Sequence, residues 1–222
     1  MRAIIRPFLL AAACAAAAPA YAQVNAALAT NCQGPEPTSG FRGTLQSELR
    51  EAARTAGIAD PRGVVVVEMR NRRPRVTAFR SNVPENVAQP VVARHAEHLA
   101  GWSECNGIVN VRLDSLQAAG TAERIPVLVN VDELARETRR LSATQSSAPG
   151  RGTRRVTLHL VMLVTRDGEV AHATLKRSSG DSEIDRQLLL AARRLRFRPA
   201  GIGGVATDLW VEQPVDLDLP NR

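Results

Sequence analysis

Aromatic side chains are scarce: four Phe, two Trp and one Tyr make up 3% of the 222 residues. Bases and sugar rings are bound by stacking on such side chains, so a surface of aromatic platforms is not what this chain offers. Lysine is nearly absent, Lys176 standing against 28 arginines, and the net charge of +7 is interleaved with acidic residues rather than gathered into a stripe. That distribution argues against a nucleic-acid partner. No G-x-S-x-G, P-loop or dinucleotide-binding glycine pattern occurs, and no catalytic residue or cofactor is assigned. What is present is an apolar share of 44%, enough for one ordinary core or two small ones.

The first 22 residues read as an export signal. Arg2 and Arg6 form a positive start, Phe8 to Ala18 an apolar run, and Ala20-Tyr21-Ala22 a small-x-small cleavage site before Gln23. The uncharged stretch Pro7–Ala22 would span about 24 Å as a helix, against roughly 30 Å of bilayer hydrocarbon. Cleavage and a periplasmic location are therefore expected. Two alternatives stay open: an uncleaved inner-membrane anchor, and lipid attachment at Cys14. Export leaves Cys32 and Cys105 in the mature chain, and a pair in an oxidising compartment is most simply a disulfide. Closing a loop of about 70 residues would stabilise the N-terminal region by about 4 kcal/mol on the chain-entropy model.

Residues 23–115 predict an α+β domain. Leu45, Leu49, Ala52, Ala53 and Ala56 recur at helical spacing, with Thr44 placed as a cap and Gly57 as a stop. Val64–Met69 and Val76–Phe79 predict a hairpin about Asn71-Arg72-Arg73. A helix over Val91–Trp102, with Pro90 near its first turn, and a strand over Ile108–Leu113 follow, Val109, Val111 and Leu113 sharing one face. Residues 116–152 read as a connecting segment, flexible from Leu141 onward.

Residues 153–222 predict a second domain. Val156, Leu158, Leu160, Met162 and Val164 alternate with their neighbours, Asp167-Gly168 supplies a two-residue hairpin turn, and Val170–Lys176 returns. Asp181 or Ser182 caps a helix whose Ile184, Leu188, Ala191, Ala192 and Leu195 form one stripe. Thr207–Leu219 is a last strand, and Pro214 marks a bend or an edge within it. The fold class is α+β: two small two-layer domains, the second a β-β-α-β unit with an antiparallel sheet.

This second domain resembles the C-terminal domain of TonB proteins. The matching residues are Leu160–Val170 as strand-turn-strand, the loop Arg177-Ser178-Ser179-Gly180, Ile184-Asp185 opening the helix, and Arg193–Ala200 closing it. Pro126–Leu134 is similar to the strand-to-helix lead-in ahead of such domains. The resemblance implies a protein without catalytic residues, whose last strand pairs with an extended segment of an outer-membrane receptor. The corresponding segment is Thr207, Asp208, Leu209, Trp210, Val211 and Glu212; Trp210 is either a contact or a core side chain. The implied partner is a protein, such as a TonB-dependent receptor, and the free edge could also support a homodimer. Typical TonB transducers carry a histidine-bearing membrane helix and a proline-rich spacer, and neither pattern is found here.

Two further readings come from the residues themselves. The order strand, strand, helix, strand occurs in both halves, which would fit a duplication. His95 and His98, with Glu97 and Cys105, could place two imidazoles on one helix face for zinc, giving a metal-dependent periplasmic enzyme as the alternative from another class. The histidine spacing is not that of zinc-protease helices, so no metal is assigned.

Overall fold

A computed structural model describes residues 28–29, 40–101, 108–115, 122–146 and 153–220. The export signal, its cleavage site, Cys14, Cys32 and Cys105 lie outside the described residues. The elements in chain order are β1 (Leu28–Ala29), α1 (Phe41–Thr55), β2 (Val64–Arg70), β3 (Arg73–Phe79), α2 (Glu85–Arg94), α3 (Ala96–Ala100) and β4 (Ile108–Arg112). They continue with β5 (Val127–Leu128), α4 (Val131–Ser146), β6 (Thr153–Val164), β7 (Val170–Leu175), α5 (Ser182–Ala192), β8 (Phe197–Arg198), β9 (Ala200–Ile202), β10 (Val205–Thr207) and β11 (Leu209–Pro220).

Two antiparallel sheets carry the fold, β3-β2-β4 and β1-β11-β6-β7. Each half has a leading helix, a hairpin, a second helical segment and a third strand that returns beside the hairpin's first strand. The strand order β3-β2-β4 thus matches β7-β6-β11, as the duplication reading requires. In the first half, Leu45, Leu49 and Ala53 of α1 and Val91 and Val92 of α2 bury against Val65, Val67, Val109 and Val111. In the second, Leu134 and Leu141 of α4 and Ile184, Leu188 and Ala192 of α5 bury against Leu160, Met162, Val211 and Val215.

The opposite faces of the two sheets meet. Val64, Val66 and Ile108 pack against Val161, Leu163 and Trp210 in a third apolar cluster. This explains why Val64–Val67 is an unbroken buried run: a strand covered on both faces has no polar side to alternate with.

Several local expectations hold. Gly57, at φ 86°, ends α1 in the left-handed conformation. Asp181 caps α5, accepting from the Glu183 and Ile184 amides. The loop before α5 is closed by side chains, Ser179 N–H donating to Asp185 and Gly180 N–H to Ser178 Oγ. The resemblance motif at Ile184-Asp185 is thereby a loop clamp.

Others are corrected. Helix α1 starts after Gly40 rather than at Thr44, whose hydroxyl instead donates back to the Gly40 carbonyl at 3.4 Å. Helix α2 begins at Glu85, so Pro90 lies within it rather than near its first turn, and the helical path breaks at His95. The Arg166-Asp167-Gly168 loop has three residues, not two: Gly168 N–H donates to Thr165 O, and Thr165 N–H to Glu169 O. Gly168 sits at φ 79°, where a Cβ would fall 1.9 Å from the Phe197 carbonyl oxygen, so only glycine fits. Finally, the stretch from Leu141 is not all linker, because α4 runs to Ser146 and buries Leu141 on the sheet.

Candidate functional site

The segment Thr207–Glu212 lies where the last strand leaves the junction between the two sheets. Its side chains turn inward. Thr207, Asp208, Leu209, Trp210 and Val211 are all buried, and Glu212 is half-buried. Trp210 is a core residue, T-shaped against His172 at 6.1 Å, with Nε1–H donating to Asn110 Oδ1 at 3.2 Å. Of the two roles open to Trp210, contact or core side chain, its burial fits the second. What a partner could meet is backbone.

Asp208 is the polar centre of the junction. Arg112, on β4, reaches it through two hydrogen bonds of 2.8 and 2.7 Å, and the Arg166 amide adds a third at 2.9 Å. Arg112 also pairs with Asp114 at 3.3 Å, and Arg166 pairs with Asp114 and donates to Ser115. Burial would lower the Arg112 pKa, but the hydrogen bonds and charges of Asp208 and Asp114 outweigh it and hold it above its ordinary value. Burial would likewise raise the Asp114 pKa; its own backbone amide and the Arg112 and Arg166 charges more than offset that and keep it below the usual range. On the far side of the junction, Arg80 holds Glu169 at 2.6 Å. These pairs tie the first half to the second.

Which edge of β11 is open follows from the ladder. Lys176 N–H donates to the His159 carbonyl, so His159 directs its backbone toward β7 and away from its β11 neighbour Pro214. Pro214 and the other even-numbered residues of β11 then present their backbone groups on the side away from β6. Asp218 fits this, its N–H donating to Ser142 Oγ of α4 at 3.1 Å. Pro214 has no N–H, and its carbonyl accepts from Gln213 Nε2 at 3.0 Å. The proline and these side chains blunt the C-terminal half of the edge. At its N-terminal half, β1 pairs with β11: Leu28 opposite Glu212 and Ala29 opposite Val211. The edge expected to be free is thus covered at those two positions by the chain itself.

The open face of the sheet next to this edge is polar. Glu212 lies 2.6 Å from His159 Nδ1 and 3.3 Å from Lys176 Nζ, while Thr157 donates to Asp216 at 2.7 Å.

His95 and His98 pack against Phe41, edge-on at 5.3 Å and stacked at 5.4 Å respectively, and His95 Nε2 lies 3.0 Å from Glu48. Among the described residues no group of three or more His, Cys, Asp or Glu could hold a metal ion. His172 is the histidine with a clear shift: burial lowers its pKa, Glu68 opposes, and Arg193 and Arg70 lower it further. A histidine depressed on folding takes up its proton more readily in the unfolded chain, so stability is full above about pH 6.5 and falls as pH drops below it. The expected result is a melting temperature that declines from pH 7.5 to 5.5, with H172Q flattening the slope. An unchanged slope in H172Q would exclude His172 as its source.

A three-stranded core of order β7-β6-β11, with α4 and α5 on one face, is a two-layer α+β domain. Residues 152–219, which hold this domain, match the family model described as Gram-negative bacterial TonB protein C-terminal. No curated protein matches the chain, and no solved structure does. The family is an envelope-located, transport-associated one of Gram-negative bacteria and is not enzymatic. Among the described residues no helix is long and apolar enough to cross a membrane.

Proposed function

We propose that this chain is an exported, periplasmic TonB-like protein that docks a protein partner by β-strand pairing at the N-terminal half of the β11 edge, in service of TonB-dependent transport. The partner class is an extended segment of an outer-membrane receptor. We place the domains at 23–115 and 153–222, the helix α4 of the connecting residues 116–152 packing on the core of the second. The observation that carries the reading is the pairing of Leu28–Ala29 with Val211 and Glu212. The chain's own segment lies antiparallel on the edge where the family implies a partner, and it does so through only two residue pairs.

A partner strand would take the place of β1. The trade is small on the side of the chain: two residue pairs leave, against twelve that hold β11 to β6. Specificity would rest on the polar face beside the edge, where Glu212, His159 and Lys176 meet incoming side chains, because Trp210 and Val211 point inward.

The test is a photo-crosslinking side chain in place of Glu212, activated in cells that express TonB-dependent receptors. An adduct with an outer-membrane receptor is expected. Crosslinks confined to the protein's own N-terminal segment, under conditions where receptors are abundant, would contradict the docking role.

A further inference from the structure

The tip of the β2–β3 hairpin, Arg70-Asn71-Arg72-Arg73-Pro74-Arg75, carries a concentration of charge that the fold does not use. Arg70, Arg72, Arg73 and Arg75 are all exposed. Arg70 is bound to Glu68 at 2.8 Å. Arg72, Arg73 and Arg75 have no carboxylate partner among the described residues. Elsewhere exposed arginines are often neutralised, as in Arg54–Glu51, Arg136–Glu133 and Arg186–Glu183. Nowhere else among the described residues do three unpartnered arginines fall within four positions.

The arrangement is unfavourable for the hairpin taken alone. Arg70 stands directly opposite Arg73, like charges in a cross-strand pair. Asn71 and Arg72 both adopt left-handed backbone, φ 50° and 61°, and at the second position glycine would be the less strained residue. Strand alternation puts Arg70, Arg73 and Arg75 on one face of the ribbon, with Arg72 at the turn. Glu68, bound to Arg70 and opposite Arg75 in the ladder, balances one of these four charges; the strain and the excess positive charge retained at an exposed tip point to a ligand outside it.

We propose that this tip is an electrostatic contact for an anionic membrane surface, the guanidinium groups engaging lipid phosphates. Arginine suits phosphate because its planar fork offers paired donors. A lipid surface is favoured over a peptide because the tip exposes no apolar side chain to anchor one: Met69 and Pro74 are half-buried. It is favoured over nucleic acid because no aromatic side chain stands at the tip to stack a base, Phe79 lying at the far end of β3. The contact is peripheral, adding reach along a membrane without insertion, and it is independent of the β11 edge.

Flotation of the full chain with vesicles of phosphatidylglycerol and phosphatidylcholine at low salt tests this. The comparison is between a triple variant, R72S/R73S/R75S, and a charge-matched control, R54S/R136S/R186S, whose arginines are paired with carboxylates. Binding to the phosphatidylglycerol vesicles is expected for the unmodified protein and the control, with about 100-fold weaker partitioning for the tip variant. Retention by vesicles should fall with added salt and should survive millimolar inorganic phosphate. Equal losses in the two variants would reduce the effect to net charge and overturn the proposal. So would absence of binding to anionic vesicles, or capture by polyglutamate alone.

Discussion

Replacing Asp208 with alanine is expected to lower unfolding stability by about 3–5 kcal/mol, since it strands a buried arginine. Arg112 and Asp208 have side chains only 7% and 1% exposed, so neither charge can turn to water when the other is removed. The same carboxylate also accepts the Arg166 amide, which fixes the hairpin loop against the start of β11. D208A should therefore loosen the junction between the two halves as well as the strand itself. Denaturant titration followed in both halves measures it, and a loss below about 1 kcal/mol would mean that the pair is hydrated in solution. An apolar exchange of both partners, R112M/D208L, is expected to recover much of the loss, because it removes the buried charges together.

Trp210→Ala is expected to cost about 3–5 kcal/mol, the range for deleting a large buried aromatic side chain. The indole fills the space between the sheets beside Val66, Ile108 and Leu163, and it is 2% exposed. W210F should cost less, about 1 kcal/mol, by removing the hydrogen bond to Asn110 while keeping most of the packing. A purely receptor-facing tryptophan would behave the other way, with stability unchanged and docking weakened. A denaturation midpoint within error of the unmodified protein would thus return Trp210 to the role of a contact.

The parts of the fold that were legible in the sequence are those set by local pattern. The alternation of Leu158, Leu160, Met162 and Val164, the glycine at Gly168 and the stripe through Ile184, Leu188 and Ala192 each act within a few residues. The reach of α4 was hidden because Ser, Thr and Gln fill its last turns; burial of Leu134 and Leu141 and the Arg136–Glu133 and Arg140–Glu137 pairs support it instead. The candidate segment was legible as a strand but not in its orientation. Thr207–Glu212 is where a second strand lies, yet the inward turn of Asp208 depends on Arg112 from the other half, and no spacing encodes that. One clue was available: the continuous apolar run Val64–Val67 signals a sheet covered on both faces, and the cover is the face bearing Trp210. Pairing of Leu28 with Glu212 joins opposite ends of the chain and leaves no local trace.

The central claim is that β11 holds one edge permanently, against β6, and keeps the other exchangeable, under β1. Amide hydrogen exchange at single-residue resolution on the full chain separates the two, because Val211 and Gln213 donate toward β6 and Glu212 toward β1. The expected result is Glu212 exchanging through local opening, orders of magnitude faster than Val211 and Gln213, which exchange only on global unfolding. Equal protection at all three amides would mean that β1 is a fixed strand of the sheet, and would contradict a docking edge at this position.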